Sequence, residues 1–133
     1  MTTERATGTF HVKLVPLDPP SPDAPLVRLS IDKQIHGELE ATGTGQMLSV
    51  GTEVPGSAGY VALERITGSL RGKRGSFALQ HSGTMERGQP RLEVGVVPDS
   101  GTGELKGLSG TFSIRIEGGQ HFYEFDYAFQ AET

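Results

Sequence analysis

Glu64 and His81 are the residues of this chain best suited to handling a proton. Both lie in Gly59–Gly83, GYVALERITGSLRGKRGSFALQHSG, among alternating apolar positions. A carboxyl set into an apolar wall loses hydration, so its pKa is expected to rise and a proton to become available near neutral pH. An imidazole titrates there without help. The pair suits an isomerisation or cyclisation, with Glu64 as acid or base and His81 as its partner. Tyr60, Tyr123 and Tyr127 are candidates to orient a polar group of a ligand, and His121 to stand at a rim. Lys33 and Glu40 form a further candidate pair. All of this needs an inner face that receives Glu64 and His81.

The elements that must supply that face are strands. No window carries a helical period, whereas alternation of period two recurs between Gly, Pro and Asp. The expected strands are Ala6–Val15, Leu26–His36, Glu38–Thr52, Gly59–Arg71, Ser76–Glu86, Arg91–Val97, Leu108–Glu117 and His121–Gln130. About eight strands with evenly spaced turns indicate an all-β domain, a sandwich or an up-and-down barrel. Meander connectivity favours a closed or nearly closed antiparallel barrel, because closure leaves no edge exposed. His36-Gly37, Lys73-Arg74 and Gly118-Gly119 each suit a tight hairpin. Proline-rich Pro16–Pro25 and turn-rich Pro98–Lys106 are the longer crossings. GTF at Gly8–Phe10, GSF at Gly75–Phe77 and GTF at Gly110–Phe112 read as three similar strand starts.

The hairpins set which side chains share a face. A Lys73-Arg74 loop places Leu70 opposite Phe77, Ile66 opposite His81 and Glu64 opposite Gly83. Tyr60, Glu64, Ile66, Phe77, Leu79 and His81 then share the apolar face, with Arg65, Thr67, Gln80 and Ser82 on the wet one. Glu64 and His81 become diagonal neighbours, within mutual reach of long side chains. A slip of one residue would reverse both faces. A Gly118-Gly119 loop places Ile116 opposite His121, Ile114 opposite Tyr123 and Phe112 opposite Phe125. A His36-Gly37 loop sets Lys33 opposite Glu40 on the face of Leu29, Ile31 and Ile35. Either these two pair in the interior or the loop lies elsewhere, and Gly43 and Gly45 could admit a bulge.

Composition narrows the function classes. The chain has 133 residues, room for one domain with one core, expected to span 1–133. Its 19 glycines are spread along the chain, about twice the usual ~7%, which fits turns and strand bends better than a linker. A net charge of −4 argues against a nucleic-acid partner, which needs a basic face. Arg71-Gly-Lys-Arg74 reads as a solvated hairpin tip before an anion site. With no cysteine, disulfides, thiol nucleophiles and Cys-ligated zinc are excluded. The four histidines, at 11, 36, 81 and 121, lack metal-ligand spacing, so no metal is expected. No GxSxG or phosphate loop occurs, and no cofactor is implied. No leader pattern and no long apolar run is present, so the expectation is a soluble cytoplasmic protein with no membrane partner.

Four stretches, SIDKQIHGELEATGTGQMLS, GSAGYVALERITGSLRGKRGSFALQHSG, VVPDSGTGELKGLSG and HFYEFDY, together resemble the bacterial domain-of-unknown-function family 3224. The resemblance covers nearly the whole chain. It implies an allene-oxide-cyclase-like barrel, often oligomeric, and no particular reaction; cyclases on the same barrel are a fold-level analogy. Three expectations stand together. One is a barrel-interior site acting on a small, largely apolar molecule. The second is a lipocalin-like binder with the same pocket and no turnover. The third is a structural homo-oligomer with a filled core, for which outward Phe122 is a hint of a contact surface.

Overall fold

The computed structural model describes residues 3–19 and 26–130. Eight antiparallel strands follow one another around a closed barrel. They are β1 (Glu4–Pro16), β2 (Leu26–Gly37), β3 (Leu39–Gly51), β4 (Ala58–Leu70), β5 (Lys73–Glu86), β6 (Gln89–Val96), β7 (Leu108–Glu117) and β8 (Gln120–Phe129). One 3-10 turn, Gly103–Leu105, interrupts the crossing from β6 to β7. Among the described residues no helix is long and apolar enough to cross a membrane. Most of the proline-rich crossing expected over Pro16–Pro25 lies outside the described residues.

Alternation decides the wall. Along β4, Ala62, Glu64 and Ile66 are buried while Val61, Leu63 and Arg65 are exposed. β1 closes on β8, with Glu4 opposite Tyr127 and Phe10 opposite His121. The seams differ in length. β3 and β4 pair from Leu39–Leu70 to Gly51–Ala58. β6 and β7 pair only at Val94–Phe112 and Gly95–Thr111. Two local causes fit that short seam. Pro90 in β6 has no N–H to give a ladder. The crossing after β6 is tied instead to β5: Thr102 N donates to Ser76 O at 2.8 Å, Ser76 N to Thr102 Oγ1 at 3.1 Å and Ala78 N to Ser100 Oγ at 3.0 Å.

The core fills one end of the tube. There Phe125 stacks on Phe112 with centroids 4.3 Å apart and lies 5.9 Å from Phe77. Leu39, Leu70, Leu105 and Leu108 are buried around them. Leu105, carried by the 3-10 turn, is fully buried and caps this end. Outside, Arg71 laces strands together: its guanidinium donates to Glu38 Oε2 at 2.9 Å and to Arg5 O at 2.6 Å. The basic hairpin tip is exposed, as expected of a solvated turn, and Arg71 at its start also ties strands across the closed end.

The last hairpin has the expected register, Ile116 opposite His121 and Phe112 opposite Phe125, turning through Gly118 and Gly119 at φ 55° and 80°. The β4–β5 turn sits two residues earlier than expected, at Arg71-Gly72, with φ 46° and 84°. Ile66 consequently faces Phe77 and Glu64 faces Leu79. The displacement is even, so every side chain keeps its face. At the β2–β3 hairpin the second of the two expected alternatives holds: the loop lies elsewhere, by an odd step from His36-Gly37. Gly37 takes φ 117°, and Lys33 comes opposite Gly43, not Glu40. β3 is thereby turned over relative to the expectation: Leu39, Ala41 and Gly43 point inward and Glu40 outward.

Candidate functional site

The other end of the barrel is open and hollow. Small residues on the inner wall of β4, Ala58 and Ala62, leave space where aromatics fill the closed end. A cavity of about 540 Å³ results, walled chiefly by Phe10, Val12, Ile31, Met47, Ala62 and Ile114. That volume lies in the range of small-molecule sites. Tyr60 also lines it, its ring occupying the place a side chain at Gly83 would need.

Three charged or titratable side chains meet on the wall of this cavity. Lys33 from β2, Glu64 from β4 and His81 from β5 are all buried. Lys33 Nζ donates to Glu64 Oε2 at 2.8 Å, and His81 Nε2 lies 2.5 Å from the same oxygen. Strand alternation brings them together: Glu64 and His81 are diagonal across β4–β5, and Gly43 and Gly45 of the intervening β3 are low enough for Lys33 to reach over. Gly43 has a second effect. A Cβ there would stand 2.8 Å from Glu64 Oε1, so glycine makes room for the carboxylate. Oε1 is turned into the wall beside Gly43 and is buried with no hydrogen-bond partner among the described residues.

Electrostatics correct one expectation. Burial by itself would raise the Glu64 pKa, but the hydrogen bond from His81 and the charge and hydrogen bond of Lys33 outweigh it and hold the carboxyl below its ordinary range. Glu64 is therefore a carboxylate at neutral pH and not the proton source first expected. A carboxylate only accepts hydrogen bonds, so Nε2 of His81 carries the proton of that contact. His81 then presents Nδ1 as its other functional atom. Tyr60 is driven the other way, its phenol raised by burial and by the Glu64 charge.

The remaining candidates divide. His121 lines the cavity beside Phe10, with ring centroids 4.9 Å apart. Tyr123 and Tyr127 point inward as alternation requires but lie at the closed end, away from the cavity, a correction to their expected place. Leu39 N donates to the Tyr123 hydroxyl at 3.1 Å, and that hydroxyl is 3.1 Å from His36 O. The Tyr127 hydroxyl donates to Glu4 Oε2 at 2.9 Å. Glu40 is on the outer surface, where it accepts from Gly37 N at 2.7 Å and lies 3.4 Å from His36 Nδ1; the expected Lys33–Glu40 pairing is replaced by Lys33–Glu64. Phe122 is half-covered, with the Arg115 guanidinium 5.1 Å above its ring. Sequence reasoning gave Gly43 only as a place for a bulge and missed Ala58 and Ala62, which open the cavity. The available signal was Gly43 and Gly45 alternating on a strand next to the one that bears Glu64.

Comparison with curated proteins yields no match. Among solved structures, one is described as a protein with unknown function from the DUF3224 family of Shewanella oneidensis MR-1. It is 51% identical to this chain, covers 98% of it and 100% of its own length, and superposes with a TM-score of 0.93. The family profile described as "Protein of unknown function (DUF3224)" matches residues 6–127, from Ala6 in β1 to Tyr127 in β8. Those limits take in all eight strands but for two residues at the start of β1 and two at the end of β8, together with all three members of the buried cluster, and the chain belongs to the DUF3224 family.

Proposed function

We propose that this barrel takes a small, largely apolar molecule into its open end and holds it against the Lys33–Glu64–His81 cluster. The observation that carries the reading is the cavity of about 540 Å³ whose mainly apolar wall includes three buried polar side chains. Burying a lysine and a glutamate costs free energy that a filled apolar core would avoid. A second reading, turnover by proton transfer in an isomerisation or cyclisation, is favoured by one observation. Glu64 holds His81 through Nε2, the arrangement that orients an imidazole base. In that reading Nδ1 takes or gives the proton, Glu64 positions the ring, and Tyr60 and His121 border the bound molecule. The allene-oxide-cyclase-like resemblance agrees with this reading as analogy alone. A cytoplasmic setting and self-association belong to the same proposal. Exposed Leu48, Val61 and Leu63 on the outer wall of β3 and β4 support the latter.

The test is fluorescence titration with the neutral solvatochromic dye Nile red, alongside native mass spectrometry of the purified protein. Saturable binding that is lost in Ala62→Phe, a variant that fills the cavity from β4, supports the reading. Equal dye binding by both proteins removes it.

A further inference from the structure

The polar atoms left over in the cavity define what the bound molecule must carry. Both Lys33 Nζ and His81 Nε2 spend themselves on one oxygen, Glu64 Oε2. Oε1 of the same carboxylate is sealed into the wall beside Gly43. The cluster therefore turns no carboxylate oxygen toward the cavity. An ammonium has three N–H donors, and only one of those of Lys33 is used among the described residues. Its charge also rests 4.9 Å from the centroid of Phe10, a cavity-lining ring. His81 has Nδ1 remaining, which accepts when the ring is neutral and donates when it is protonated.

We infer that the molecule bound here is a monocarboxylic acid with an apolar body, its carboxyl group placed between Lys33 and His81; this deepens the binding reading above and rests on it. A carboxyl has two oxygens, one for each partner. The oxygen facing Lys33 accepts from the ammonium. The other meets Nδ1, with a single proton shared between them whichever of the two holds it. An alcohol offers one oxygen and no charge. An amine brings a second cation to Lys33. The apolar body lies along Val12, Ile31, Met47 and Ile114 toward the open end. Charge-assisted hydrogen bonds in a water-poor site favour the acid over a neutral molecule of equal length.

The experiment is isothermal titration of the full chain at neutral pH with decanoate, decanol and decylamine, beside the Nile red titration. Decanoate is expected to bind about tenfold or more tightly than decanol, with decylamine weakest. Lys33→Met is expected to bring decanoate down to the affinity that the same variant shows for decanol. His81→Gln, which keeps Lys33 and Glu64 paired, reduces the preference without abolishing it, and serves if Lys33→Met does not fold. Decanol or decylamine binding as tightly as decanoate overturns the inference, as does a preference that survives in both variants. If Nile red and decanol bind while decanoate gains nothing, the carboxylate inference fails and the binding pocket stands. If none of the probes binds, both fail.

Discussion

The two ends of this barrel are built from the same strands and filled by opposite means. At the closed end Phe77, Phe112, Tyr123, Phe125 and Tyr127 meet, and the Leu105 turn lies over them. At the open end Ala58 and Ala62 stand at inward positions of β4 on either side of Tyr60, and a void remains. Polar atoms follow the same division. The Tyr123 hydroxyl at the closed end is hydrogen-bonded to backbone at His36 and Leu39, so its polarity is spent inside the fold. The Lys33–Glu64–His81 cluster leaves donor capacity unspent and borders empty space. One half of the barrel is thus packed solid, and the other encloses a cavity. The lesson is that side-chain volume along a strand is enough to separate a filled end from a hollow one.

The largest expected effect tests the packed half. Phe125→Ala removes the ring stacked between Phe77 and Phe112 and is expected to cost about 3–5 kcal/mol in urea unfolding. A smaller effect belongs to the boundary between the halves. Glu64→Gln replaces charge-assisted bonds by neutral ones and is expected to cost about 1–3 kcal/mol at neutral pH. Its pH dependence has a definite sign. Folding holds the Glu64 carboxyl below its ordinary value of 4.5, so the ionic stabilisation is fully present above that pH and is lost as pH falls through the lower folded value. The stability gap between the parent protein and Glu64→Gln should be level down to about pH 5 and shrink below it. A gap that widens in acid would mean that the carboxyl is held protonated. The smallest effect is at the mouth. Ile116 is 63% exposed, and Ile116→Ala is expected to stay within about 0.5 kcal/mol of the parent. An Ile116 loss approaching that of Phe125 would erase the distinction between the two ends.

How much of this could be read from the residues follows from what strand alternation encodes. Period-two patterning carries the face of each side chain, and so the strands, the barrel class and the inward placement of Glu64 and His81 were legible. It carries no height along the barrel axis. The inward facing of Tyr123 and Tyr127 was therefore legible, and their place at the closed end was not. Turn chemistry carries register only when the turn residues announce themselves. Gly118-Gly119 did so. Arg71 did not, because a non-glycine residue rarely takes φ 46°. That error was harmless, since an even displacement preserves facing. At Gly37 the displacement was odd, and it exchanged Glu40 for Glu64 as the partner of Lys33. The low Glu64 pKa depends first on the hydrogen bond from His81, whose place beside Glu64 was legible, and then on Lys33, a cation from a strand whose register was not known.

The short seam between β6 and β7 makes the tube behave like a sleeve with a zip. Parting the wall there sacrifices two paired positions, where the β1–β8 seam would forfeit the whole run from Glu4–Tyr127 to Phe10–His121. Leu92 and Ile116, one from each lip of that opening, also border the cavity. On the binding reading proposed above, a guest broader than the resting lumen would spread the unpaired lips at Leu92 and Ile116, while the Val94–Phe112 pair keeps the aromatic plug shut beneath them.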